Sequence, residues 1–210
     1  MSDNEIPDDD LPESEGGFSA QLHVSAQPQR PPWLMVIDMQ PIFGDPSSPW
    51  CATGFDAIVR PIAQLVEHFA DRVMFTRYVA PQTPRGSWIP YFEQWKFALV
   101  DETDDLYALV EPFQPYAEHI SSRQSFGKWD GLMHEALSNT TEIVLAGVAT
   151  ECCVLATALA AADDGMFVRV VTDACAGGTS RAHDAALEIM GLYAPQIRLT
   201  TTADVLASSA

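Results

Sequence analysis

Basic side chains are what this sequence has least of: 11 Lys and Arg stand against 29 Asp and Glu in 210 residues, a formal net charge of −18. Such a field repels nucleic acid and anionic membrane surfaces over a Debye length or more, so no nucleic acid and no membrane is expected as a partner. Long hydrophobic runs are also missing, and no stretch approaches the roughly 18 uncharged residues that cross a bilayer. The chain opens with acids, where a secretory leader would carry bases before an apolar segment. The four cysteines, Cys51, Cys152, Cys153 and Cys175, are spaced neither as a C-x-x-C redox pair nor as a zinc ligand set. A reducing, cytoplasmic setting is expected, without a disulfide scaffold. No G-x-G-x-x-G follows the first apolar run, which disfavours a nucleotide-binding role.

Residues 1 to 29 hold seven acidic side chains, no Lys or Arg and few large apolar residues, and Pro28, Pro31 and Pro32 close the segment. Its apolar surface is too small to offset the entropy of ordering, so residues 1–30 are expected to form a disordered acidic tail ahead of one domain over 31–210. No solenoid-length repeat follows.

From Trp33 onward, short apolar runs alternate with stretches of helical period. The runs are Trp33 to Ile37, Val73 to Tyr78, a weak one at His119 to Ser121, Glu142 to Val148, Phe167 to Thr172 and Gln196 to Thr200. Continuous apolar strands imply burial on both sheet faces, the mark of a parallel sheet between helix layers. Ile58, Ile62, Leu65, Val66 and Phe69 share one helical stripe, with Pro61 expected only in a first turn. Leu132 to Leu137, the Ala-rich Cys153 to Asp164 closed by Gly165, and His183 to Leu192 supply further helices. The alternation predicts a single doubly wound α/β domain with helices on both faces.

In such a sheet, ligands bind beyond the carboxyl ends of the strands, near the point where strand order reverses. The first strand runs into Asp38, and the fourth runs through Gly147 and Ala149 into Cys153 at the head of the Ala-rich helix. Unpaired N–H groups and the positive end of a helix favour thiolate there and could cradle a developing oxyanion, so a lowered thiol pKa is expected. Taken alone, Cys153 could instead be a small core thiol and Asp38 a turn residue. Adjacent Cys152 and Cys153 point apart, so one functional and one packed thiol are expected.

Val36-Ile37-Asp38-Met39-Gln40 and Gly147 to Val154 resemble the first and nucleophile motifs of the isochorismatase-like hydrolases. Val73 to Arg77 and Val170 to Ala176 resemble that family's second and fifth strands, and the likeness runs from about Trp33 to Leu206. It implies a six-stranded sheet in the order 3-2-1-4-5-6, and a cofactor-independent cysteine hydrolase acting on a C–N bond of a small molecule through a thioester. Cys153 is then the nucleophile and Asp38 its acid/base partner. A cis peptide between Val148 and Ala149 would aim the N–H groups of Ala149 and Cys153 at the oxyanion.

The family's lysine segment corresponds to Arg123 to Trp129, with Arg where Lys is expected. Arg123 is therefore taken as the site cation, and Lys128 as the alternative. Metal-binding relatives use an Asp and two His, but nothing like Asp-x-His is present and His23, His68, His119, His134 and His183 are scattered, so no metal is expected. Phe43, Trp50, Trp88, Tyr91, Trp95, Phe126 and Trp129 follow the active strands. Of these, Phe43 and Trp129 are the expected substrate contacts. The resemblance also implies a homo-oligomer. Two other readings stay open: vinyl-ether hydrolysis of isochorismate type, and a non-catalytic relative serving as a binding or interaction module.

Overall fold

A computed structural model describes residues 30–138 and 140–208. The acidic tail expected over residues 1–30 lies, but for Arg30, outside the described residues. Six strands form one all-parallel sheet: β1 (Trp33–Ile37), β2 (Val73–Tyr78), β3 (Ile120–Arg123), β4 (Glu142–Val148), β5 (Phe167–Ala176) and β6 (Ile197–Thr200). Their order is β3-β2-β1-β4-β5-β6, as the resemblance implies. Strand order reverses between β1 and β4, which pair from Trp33 opposite Ile143 to Ile37 opposite Gly147.

Among the described residues, seven α-helices cover the sheet: α1 (Pro41–Gly44), α2 (Phe55–Phe69), α3 (Trp88–Gln94), α4 (Gly131–Ala136), α5 (Leu155–Asp163), α6 (Ser180–Gly191) and α7 (Thr202–Ala207). The pleat explains why β1 is apolar throughout. Leu34 and Val36 join one core cluster with Ile58, Ile62 and Leu65 of α2 and Val205 of α7. Met35 and Ile37 join a second with Met133 of α4, Ala158 and Ala161 of α5 and Met190 of α6. Each large apolar side chain buried this way contributes about 1.5–3 kcal/mol. Among the described residues, no helix is long and apolar enough to cross a membrane.

Three expectations about element ends need correcting. The helix carrying Pro61 starts at Phe55, so Pro61 lies inside it and not in its first turn. A proline there removes the donor to the carbonyl of Ala57; Ala57 is exposed, so water can satisfy that oxygen. β5 continues past Thr172 to Ala176, with a register irregularity opposite the Leu145 to Gly147 stretch of β4. The Ala-rich helix proper starts at Leu155, and a wider π-type turn over Thr150–Val154 precedes it. Within that turn both Cys152 N–H and Val154 N–H donate to the carbonyl of Ala149. Turns of this kind recur where a helix start is shaped for function.

Candidate active site

The reversal of strand order brings the ends of β1 and β4 side by side. Close approach there depends on Gly147, whose φ is +115° and whose missing Cβ would fall on the carbonyl oxygen of Ile37. One residue further on, the Val148-Ala149 peptide bond is cis, as the resemblance implies. Beyond it the chain turns into the Thr150–Val154 segment and presents Cys153, which is 4% exposed.

Asp38 sits opposite, fully buried, with φ at +51°, a conformation that Asp tolerates better than most side chains. Thr76 of β2 fixes it. Its hydroxyl donates to Asp38 Oδ1 at 2.7 Å, and Asp38 N–H donates to the Thr76 carbonyl at 3.2 Å. Gln40 secures the same bend: its Nε2 donates to the carbonyls of Tyr78 and Tyr107, both at 3.0 Å, and its Oε1 accepts from Tyr78 N–H at 2.7 Å. The glutamine of the Asp-x-Gln motif is thus a buried clamp between β1, β2 and the Asp105–Tyr107 turn.

The cation that meets Asp38 is Lys128 and not Arg123. Lys128 Nζ lies 3.0 Å from Asp38 Oδ2, with both side chains fully buried. It donates to the Ser125 carbonyl at 2.8 Å and sits 5.2 Å from the centre of the Tyr78 ring. Arg123 ends β3, opposite Tyr78, and its guanidinium turns outward to Asp130 at 3.4 Å. The loop after Arg123 carries Lys128 back over the sheet, and one buried hydroxyl anchors it: Thr157 Oγ1 accepts from Lys128 N–H at 3.0 Å and donates to the Cys153 carbonyl at 2.6 Å. The backbones of Lys128 and Cys153 therefore hang from one side chain of α5.

Trp129 is corrected for the same reason. With Lys128 aimed at Asp38, its neighbour points the other way, into the core cluster beneath α4 and α5, where Nε1 donates to Asp164 at 3.0 Å. Phe43, by contrast, lines a cavity of about 240 Å³ that opens onto Cys153. Trp50, Tyr78, Tyr91, Trp95 and Phe126 complete its aromatic wall, beside Glu151 and Cys152. Trp50 is the hub, stacked on Phe43 at 6.0 Å and edge-on to Phe97 at 5.1 Å. The two adjacent thiols differ in exposure. Cys153 is the packed member, and Cys152 is exposed at the cavity.

Burial and the Asp38 carboxylate push the Cys153 thiol well up, against a smaller opposite pull from Lys128. Desolvation and the facing carboxylate thus act against the lowering expected from the helix start. Thiol, carboxylate and ammonium together carry no net charge, and moving the thiol proton to Asp38 keeps that sum at zero. A low-dielectric site tolerates that transfer far better than loss of the proton to water.

An α/β domain with a cysteine, a carboxylate and a buried lysine at its switch point has the layout of a cysteine hydrolase. Residues 32–204 match the isochorismatase domain family, and the chain belongs to that family of hydrolases. Solved structures agree on the fold. A cysteine hydrolase from Pseudomonas syringae is 19% identical with a TM-score of 0.73, covering 86% of this chain and 96% of its own. An isochorismatase family protein from Desulfovibrio vulgaris is 21% identical with a TM-score of 0.68, covering 86% and 100%. A pyrazinamidase/nicotinamidase from Streptococcus mutans is 19% identical with a TM-score of 0.65, covering 81% and 100%. A comparison with curated protein sequences finds no match.

Proposed function

We propose that this protein hydrolyses a C–N bond of a small amide through a thioester on Cys153. The buried contact of Lys128 with Asp38 beside that thiol carries the reading, because it supplies a proton acceptor inside a charge-balanced site. Asp38 takes the thiol proton as sulfur attacks the carbonyl carbon. The N–H groups of Ala149 and Cys153 receive the oxyanion. The C–N bond breaks as Asp38 returns the proton to the leaving amine, which leaves an acyl group on sulfur. Water then attacks the thioester while Asp38 accepts its proton, and the acid departs as the thiol re-forms. Lys128 holds Asp38 in place and offsets its charge throughout.

The similarity to a pyrazinamidase/nicotinamidase points the same way, towards a flat amide. Phe43 and its aromatic neighbours would stack on such a ring. A non-catalytic reading would be favoured by a site without its cation, and Lys128 beside Asp38 argues against it. Vinyl-ether hydrolysis would leave Cys153 without a task.

Turnover of a panel of small aryl and alkyl carboxamides, followed by ammonia release, tests the proposal. Hydrolysis of at least one member, lost by 10³-fold or more (about 4 kcal/mol) in Cys153→Ala and Asp38→Asn, is expected. Turnover that survives Cys153→Ala would refute it.

A further inference from the structure

The cavity wall holds one carboxylate, which the chemistry above does not use. Glu151, two residues before the nucleophile, lines the cavity beside Cys152 and Cys153. Its Oε1 accepts from Gly178 N–H at 2.8 Å. Its Oε2 is buried and has no hydrogen-bond partner among the described residues, and no salt bridge there involves Glu151. Gly177 and Gly178 leave the room it fills, since a Cβ on Gly177 would stand 2.5 Å from Oε2 and one on Gly178 3.0 Å from Oε1.

The surroundings offset this charge only in part: His183 packs against the same Gly177 position as Oε2, with its Nδ1 held by Thr150 at 2.8 Å, and α6 begins just past Gly178. No Lys, Arg or His lines the cavity; Lys128 is matched by Asp38, and Arg123 faces Asp130. The neighbouring Cys152 thiol feels it, pushed up by burial first and by Glu151 second. If the glutamate served only to accept from Gly178 N–H, a neutral glutamine would suffice, without the cost of a half-satisfied carboxylate.

We infer that Glu151 sets the charge preference of the site, so that it takes flat amides bearing a cationic or hydrogen-bond-donating group and rejects those bearing a carboxylate. This rests on the amide-hydrolase reading for the word amide, while the charge preference itself is a property of the cavity. At a separation of several ångströms in a partly desolvated cleft, one unit charge shifts affinity by roughly three- to tenfold, favourably for a cation and unfavourably for an anion, which separates the two by roughly ten- to a hundredfold. The cavity is smaller than the roughly 300–1,000 Å³ of drug-sized sites, which limits the occupant to about one ring and its substituent.

Binding without turnover separates the two ideas. In full-length Cys153→Ala protein, fluorescence of Trp50 and Trp95 in the cavity wall reports occupancy by benzamide and its para-aminomethyl and para-carboxymethyl derivatives. The aminomethyl compound is expected to bind roughly ten- to a hundredfold more tightly than the carboxymethyl one at low salt. Adding Glu151→Gln, which keeps an acceptor for Gly178 N–H, should shrink that ratio to about threefold or less and leave benzamide nearly unchanged. Equal binding of both charged compounds, binding of none, or an unchanged ratio in a folded Glu151→Gln protein would overturn the inference. The order of affinities in the Glu151 protein decides the preference even if the Gln variant does not fold. The expected order of affinities, with no hydrolysis of any of the three by the Cys153 protein, would sink the amide reading and leave this inference standing.

Discussion

Lys128 Nζ stands 3.0 Å from Asp38 Oδ2, and neither side chain is exposed to solvent. A buried pair of this kind is costly to break, because the surviving charge keeps its desolvation penalty and loses its partner. Lys128→Met should therefore destabilise the protein by about 3–5 kcal/mol and remove hydrolysis. Arg123→Met, which deletes a longer and partly exposed contact with Asp130, should cost about 1 kcal/mol or less and leave turnover within a fewfold. Urea melts and amide turnover of both variants check this; a silent Lys128→Met would contradict it.

Thr157 ties the backbone of Lys128 to that of Cys153 through one hydroxyl. Thr157→Val keeps the shape and leaves Lys128 N–H without that acceptor. A loss of about 1–3 kcal/mol is expected, with kcat reduced more than KM because the reacting groups loosen and the cavity does not change. A normal kcat would show that the hydroxyl is only a packing element.

Gly147 is required by geometry and not by flexibility. Gly147→Ala places a methyl on the Ile37 carbonyl at φ +115° and should cost more than about 3 kcal/mol, or prevent folding. Gly165→Ala, at φ +85° with open space around it, should cost about 1 kcal/mol. Thermal melts of the two variants make the comparison.

Buried thiols make the fold sensitive to alkali. Burial pushes the Cys175 thiol up to about 12, against 9.0 for a free one. Between those values the unfolded chain gives up this proton while the folded chain keeps it. The stabilisation is thus whole below about pH 9 and drains away as pH rises towards 12, by up to about 1.4 kcal/mol per unit. Cys175→Ala should lower stability at neutral pH and flatten its alkaline decline by up to one proton, measured by urea melts between pH 8 and 10.5. An unchanged slope would show that Cys175 does not carry the effect.

Much of this architecture is written in local pattern. β1, β2 and β4 begin and end where their apolar runs do, because strands buried on both faces leave few polar residues to blur the boundary. Asp38 and Cys153 were legible because each follows such a strand. Arg123 stands where the family's lysine is expected, yet β3 stops there and the loop folds back, so that Lys128 reaches Asp38 instead. No local pattern marks Lys128, because its partner Asp38 belongs to a distant strand end. Thr76, Thr157 and Glu151 carried no such mark, for their roles come from partners 38, 29 and 27 residues away.

Adjacent cysteines allow one direct test of the chemistry. Enzyme quenched in acid during turnover of a slow amide and digested with pepsin should carry the acyl mass on Cys153, labile to hydroxylamine, and none on Cys152. That result is expected because Cys153 alone is seated against Asp38. Acylation of Cys152, or sustained hydrolysis by a protein that never acquires acyl mass on Cys153 under rapid quench, would contradict a thioester at this site.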